Sequence, residues 1–164
     1  MAIMSTPVIR RATAEDADGI AVVHVRAWQQ TYAPLVPPGA LDDLDPAHRA
    51  PRWRTIITGD QSDVLVATVD DVVIGWATAS AGRGEHLPRS RELEGLYVLA
   101  EHHGTGTGQA LLDAAIGDAP AFLWVADGNP RAEAFYRRNG FHRDGRTMEH
   151  RLAGHPVPAV RMVR

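Results

Sequence analysis

The 164-residue sequence contains no cysteine, which excludes disulfides, thiolate metal sites, iron–sulfur clusters and a cysteine nucleophile. It has no lysine either: all 17 basic residues are arginine. A Walker A lysine, a Schiff-base lysine for pyridoxal phosphate and a kinase-type strand lysine are therefore ruled out. Long hydrophobic runs are also missing, and none approaches the ~18 apolar residues of a membrane span. Met1 to Pro7 shows no basic segment followed by an apolar one, so no signal peptide is expected. Neither Asn129-Pro130 nor Asn139-Gly140 is a glycosylation acceptor. Histidines 86, 102, 142, 150 and 155 have no metal-ligand spacing, and no Gly-x-Ser-x-Gly of a hydrolase is present. A net charge of −3 gives no electrostatic reason to expect a nucleic acid or an acidic membrane as partner. The expectations are a cytoplasmic chain, one domain over residues 1–164, and no metal.

What remains is a pattern of alternating elements. Val8 to Arg11 reads as a strand, and Thr13-Ala-Glu-Asp as a capping-box-like start to a helix with Ile20, Val23, Ala27 and Trp28 on its apolar side. Prolines and aspartates between Pro34 and Pro51 predict a loop with at most one short helix, and Arg52 to Ile57 a separate helical turn. Asp63–Val69 and Val72–Ala79, joined by Asp70-Asp71, predict a hairpin. Arg91 to Leu99 alternates as a strand, and regular alternation would put Glu92, Glu94, Leu96 and Val98 on one face. A helix from about Gly108 to Ile116 follows a glycine-rich segment. Next come the apolar run Ala121–Val125, typical of a central buried strand, and a helix opened by Asn129-Pro130 and closed by Gly140. Strands from Phe141 and over Ala159–Val163 complete an α/β chain with a mixed sheet and helices on both faces.

The segment Leu96-Tyr97-Val98-Leu99-Ala100-Glu101-His102-His103-Gly104-Thr105-Gly106-Thr107-Gly108-Gln109 carries the chemistry. It runs from a strand through a glycine at every second position into a helix start. Glycines let backbone amides turn toward a ligand, and the helix N-terminus adds partial positive charge, so the segment is built to cradle an anion. The dinucleotide fingerprint fits neither glycine register, since Gln109 and Leu111 stand where its third glycine belongs.

From Tyr97 to Leu111 the segment resembles the signature of the GCN5-related N-acetyltransferase (GNAT) superfamily, Tyr-Val-x-Pro-x-x-Arg-Gly-x-Gly-(Ile/Val)-Gly-x-x-Leu. Asn129-Pro130-x-Ala132-x-x-Phe135-Tyr136-x-x-x-Gly140-Phe141 is similar to its second landmark, and the likeness in element order covers the chain. Ala100, His103 and Thr107 depart from the signature, which has Pro, Arg or Gln, and a branched apolar residue there.

The resemblance implies a mostly antiparallel central sheet split at the cofactor site. Acetyl-CoA would be the co-substrate, and a primary amine of a small molecule or peptide the acceptor. Leu96, Tyr97 and Val98 would pair with the pantetheine arm. His103, Gly104, Thr105, Gly106, Thr107, Gly108 and Gln109 would hold the pyrophosphate, and His103 would contribute charge when protonated. Asn129 would touch the pantetheine, and Tyr136 would bind beside the sulfur and protonate the leaving thiolate. Glu92 and Glu94 are candidate general bases, either of which could instead attract a cationic acceptor. His24, Trp28 and Tyr32, four apart on one helix face, are acceptor-pocket candidates, with a packing stripe as the competing reading for Trp28. Two other functions fit the same residues: a non-catalytic acyl-CoA sensor on this fold, and a nucleotide-binding module using the glycine loop. Dimers are common in the family, so a homodimer is an open expectation.

Overall fold

The computed structural model describes residues 5–164; Met1 to Met4, part of the segment read above as lacking a signal peptide, lie outside it. The elements run β1 (Val8–Arg11), α1 (Ala17–Tyr32), α2 (Pro46–Thr58), β2 (Ser62–Val69), β3 (Val72–Ser80), β4 (Glu92–Val98), α3 (Thr107–Ile116), β5 (Phe122–Ala126), α4 (Pro130–Arg138), β6 (His142–Leu152) and β7 (His155–Val163). The seven strands form one sheet in the order β1-β2-β3-β4-β5-β7-β6. Every neighbouring pair is antiparallel except β4 and β5, which run parallel.

Local chemistry explains the boundaries. Asp70 and Asp71 take φ of +48° and +64°, as the two central residues of a tight hairpin turn must, and Asp tolerates that region better than most residues. Asp16 accepts from the Thr13 amide at 2.7 Å and from Arg10 at 2.7 and 2.9 Å, locking the entry to α1 onto β1. Asn129 caps α4 by accepting from the Ala132 amide at 3.2 Å, and Gly140 closes it at φ +85°.

One expectation fails between Pro34 and Ile57. The separate turn predicted for Arg52–Ile57 is the second half of a single helix, α2, which begins at Pro46 under an Asp45 cap and runs through Pro51. Pro51 removes one backbone donor. Burial of Ala50 and Trp53 against α1 offsets that loss, both being 5% exposed or less.

Helices α1 and α2 cover one face of the sheet with Ile20, Val23 and Trp53 on Val64, Val66 and Trp76. On the other face Leu111, Leu112 and Ile116 of α3 and Tyr136 of α4 pack with Leu65, Ile74, Leu123, Phe141 and Met162. Strands β4 and β5 pair only at Glu92–Phe122 and Leu93–Leu123. Beyond those two rungs they part, and the sheet opens into a V.

A β-bulge sits where the opening starts. The register between β3 and β4 shifts so that Ala79 opposes Leu93 while Thr78 already opposes Gly95. The extra residue, Glu94, breaks the strand's alternation. Glu92 and Glu94 therefore face the α1–α2 side, whereas Leu96 and Val98 face α3 and α4. The single shared face predicted for all four residues is corrected by this bulge.

Candidate active site

The opening between β4 and β5 is a cleft of about 410 Å³. It is lined by Glu94 to Val98, the start of the glycine loop, Trp124 and Val125, and one side of α4. The Leu99 amide donates to Ile74 O at 3.0 Å, toward β3. Alternation then turns the amides and carbonyls of Leu96 and Val98 the other way, into the cleft. Apart from Val98 O, which accepts from His103 Nε2 at 2.8 Å, these strand-edge groups are unpaired and suited to bonding an extended, amide-bearing ligand as an added strand.

The glycine loop continues that edge. Gly104 and Gly106 have φ of +74° and +84°, and a Cβ added at either would meet no atom within 4 Å. These glycines serve the backbone's left-handed turns, and they leave the space in front of the loop open. Among the described residues, the amides of 104 to 109 donate to no backbone acceptor outside the helix. Such a row of free donors at the head of α3 suits a phosphate-bearing ligand. Thr105 and Thr107 point elsewhere than into the cradle: their hydroxyls bond each other at 2.8 Å, and Thr105 Oγ1 donates to His102 O at 2.6 Å. Gln109 lines the cleft but spends its side-chain amide on Asp113 and Asn139, tying α3 to the end of α4.

His103 is placed differently from the expectation of a protonated phosphate ligand. Its Nε2 donates to Val98 O at 2.8 Å, and the Arg131 guanidinium abuts its Nδ1. Nδ1 must then accept, so the imidazole is neutral. Burial and the Arg131 charge both push its pKa below the ordinary histidine value, against the pull of Val98 O and of Glu101.

Tyr136 projects from α4 into the cleft, 8% exposed, edge-on between Phe135 and Phe141 with ring centroids 5.3 and 5.9 Å away. Burial, with Tyr97 nearby, pushes its pKa well above the usual tyrosine range, so its proton stays on at any ordinary pH. Across the cleft Tyr97 and Tyr32 share a 2.7 Å hydroxyl–hydroxyl bond. Burial raises both pKa values, so neither phenol is a base near neutrality. Asn129 lines the cleft while its Oδ1 caps α4.

The carboxylates separate. Glu94 lines the cleft, accepts from Ser62 Oγ at 2.8 Å and lies 3.6 Å from Arg83. Glu92 does not line it; burial first, and then the Glu94 charge, raise its pKa. Of the three α1 candidates only Tyr32 reaches the cleft. His24 is enclosed by Trp28, Trp53, Trp76 and Tyr97, with ring centroids 4.5 to 6.4 Å away. Its Nδ1 accepts from Trp53 Nε1 at 3.1 Å. Trp28 packs edge-on to His24 and Tyr32 under the Arg49 guanidinium, which makes it a packing residue.

Sequence reasoning missed Arg131, Arg138, Phe135 and Trp124, all of which line the cleft. Arg131 had a usable signal, since Asn129-Pro130 puts it in the first turn of α4 at the cleft mouth. Trp124 had another: it alternates with Leu123 and Val125 on β5, so it must face the opposite side of the sheet. No group of three or more potential metal ligands exists among the described residues.

A mixed sheet splayed between its two parallel strands, with a glycine loop feeding a helix at the splay, defines a class of acyl-CoA-using transferases. Residues 23–141 match the Acetyltransferase (GNAT) family. An uncharacterised N-acetyltransferase of Mycobacterium tuberculosis is 31% identical over 156 residues, covering 91% of this chain and 97% of that protein. Among solved structures, a GCN5-related N-acetyltransferase from Rhodopseudomonas palustris superposes with TM-score 0.72 at 22% identity, covering 100% of this chain and 98% of that one. The PaiA N-acetyltransferase of Thermoplasma acidophilum, solved in complex with coenzyme A, superposes with TM-score 0.68 at 20% identity, covering 94% and 98%. The chain belongs to the GNAT family, and it is an N-acetyltransferase.

Proposed function

We propose that this enzyme transfers the acetyl group of acetyl-CoA to a primary amine of a small molecule or peptide, by direct attack in a ternary complex. The splayed β4–β5 edge, with Tyr136 at its side, is the observation that carries the reading. Leu96 and Val98 would bond the pantetheine arm, the amides of 104 to 109 the pyrophosphate, and Asn129 the arm near its middle. The Acetyl-CoA chemistry then needs three things from the chain.

The first is proximity: the cleft holds thioester and amine together, replacing a bimolecular encounter. The second is charge stabilisation, for which a β4 amide facing the cleft would donate to the carbonyl oxygen as it becomes negative. The third is proton traffic. The amine nitrogen attacks the carbonyl carbon, the C–S bond breaks, and Tyr136 gives its phenolic proton to the sulfur. Its raised pKa is matched to this task, because a thiolate forming in the same buried place is destabilised by the same desolvation. Glu94, on the acceptor side, attracts the ammonium form and takes the amine's proton through water; Glu92 sits behind it and keeps the local field negative.

A thiol-release assay with acetyl-CoA and a panel of amines tests this reading. Tyr136→Phe should keep CoA binding and lose about 10²–10⁴-fold in turnover, the usual worth of a positioned acid. An unchanged rate in that variant removes Tyr136 from the chemistry. CoA binding without transfer to any amine favours the sensor reading.

A further inference from the structure

The phosphate cradle of this chain lacks the cation its loop would be expected to carry. His103 stands at the head of the loop, but both its nitrogens are committed, one to Val98 O and one to Arg131. The loop itself contains no arginine, and with no lysine anywhere in the chain a permanent positive charge must come from another element. Two arginines line the cleft, Arg131 and Arg138, both from α4. Neither has a carboxylate within ion-pair distance among the described residues, although 10 other arginines do. Arg138 lies with its guanidinium carbon 6.0 Å from the Phe135 ring centroid, at the far end of the helix. Arg131, in the first turn, reaches across the cleft mouth to the first residue of the loop.

We infer that Arg131 supplies the charge for the pyrophosphate, and that His103 is its positioning residue rather than a phosphate ligand. The inference rests on the acetyl-CoA reading above. The imidazole works as a fixed spacer: its Nε2–H is held by the β4 carbonyl, and its Nδ1 lone pair fixes the guanidinium over the loop. A guanidinium has five donors in a planar fork, so one bond to His103 leaves the others for phosphate oxygens. The cation thus comes from the opposite wall of the cleft and would close over the ligand from α4, while the loop amides hold it from α3.

Isothermal titration of CoA and of dephospho-CoA, on wild type, Arg131→Gln, His103→Ala and the double variant, tests this. Arg131→Gln should weaken both ligands equally, by roughly 10- to 100-fold, the worth of charge-assisted hydrogen bonds. It should also flatten the salt dependence of binding, because one cation fewer meets the phosphates. His103→Ala should cost less, about threefold to tenfold, and nothing further in the Arg131→Gln background, since its contribution runs through Arg131. Circular dichroism melts of each variant confirm that the fold is intact.

Unchanged affinity in Arg131→Gln overturns the inference. So does a loss seen with CoA but not with dephospho-CoA, which would assign Arg131 to the 3′-phosphate. An equal cost of His103→Ala in both backgrounds would make the imidazole itself the phosphate ligand. Wild-type protein that binds neither ligand refutes the acetyl-CoA reading instead, so the two failures are distinct.

Discussion

Replacing His24 separates a packing role from an acceptor-binding one, and the structure sets the size of the effect. The imidazole is boxed by four aromatic rings, and burial, reinforced by the Arg49 and Arg52 charges, pushes its pKa from 6.5 down to about 3. Between those values the unfolded chain binds a proton that the native protein refuses, so stability falls as pH drops below 6.5. At about 1.4 kcal/mol per pH unit, His24 should cost about 2.7 kcal/mol at pH 4.5 and almost nothing at pH 7. For a domain of this size that is a melting-temperature difference of about 5–10 °C.

Two variants remove the titration. His24→Asn keeps an acceptor for Trp53 Nε1, and His24→Phe keeps a ring in the box. Carboxylates held low by arginines, such as Asp16 and Asp63, also lose stability in acid, but they do so equally in all three proteins. Melting curves at pH 7 and pH 4.5 should therefore show both variants losing less stability on acidification than wild type, by about 2 kcal/mol or more. The variants should leave CoA affinity and the Michaelis constant for the acceptor near wild-type values. An acid slope identical to wild type would refute the neutral buried imidazole, and a raised acceptor constant would return His24 to the pocket.

Other substitutions address the cleft. Glu94→Gln should lower kcat/KM for a cationic amine by about tenfold or more, and Glu92→Gln by less than about threefold, read from steady-state kinetics; the reverse order would put the working carboxylate at Glu92. Gly106→Val should weaken CoA binding through the strain of φ +84°, not through crowding, because a Cβ there has open space. Asparagine tolerates that region, so Gly106→Asn should stay within about fivefold of wild type in the same titration. Equal losses for both would mean that the side chain collides with the ligand. Wild-type CoA affinity should show no His103-dependent change between pH 6 and 8, because Val98 O and the Arg131 guanidinium together hold that imidazole as its neutral Nε2–H tautomer; a slope abolished by His103→Ala would contradict its placement.

Much of this architecture could be read from local patterns. The hairpin at Asp70-Asp71, the run into β5 and the Asn129-Pro130 to Gly140 frame of α4 each depend on neighbouring residues, and each is present. The turns of the glycine loop at Gly104 and Gly106 were legible because conformational freedom is written in residue type. What failed depends on distant residues. The bulge at Glu94 arises from the β3–β4 register, which strand alternation alone does not contain, and it moves both glutamates to the other side of the sheet. Helix α2 continues through Pro51 because Trp53 finds a buried place on α1. His103 turns inward because Val98 O, 5 residues away, and Arg131, 28 residues away, claim its two nitrogens.

The most direct test of the account is a crystal structure of the protein with CoA. The pantetheine arm should lie between β4 and β5, bonded to Leu96 and Val98, with the phosphates over residues 104 to 109 and the sulfur beside the Tyr136 hydroxyl. CoA bound on another face, or in the cleft with its sulfur remote from Tyr136, would contradict it.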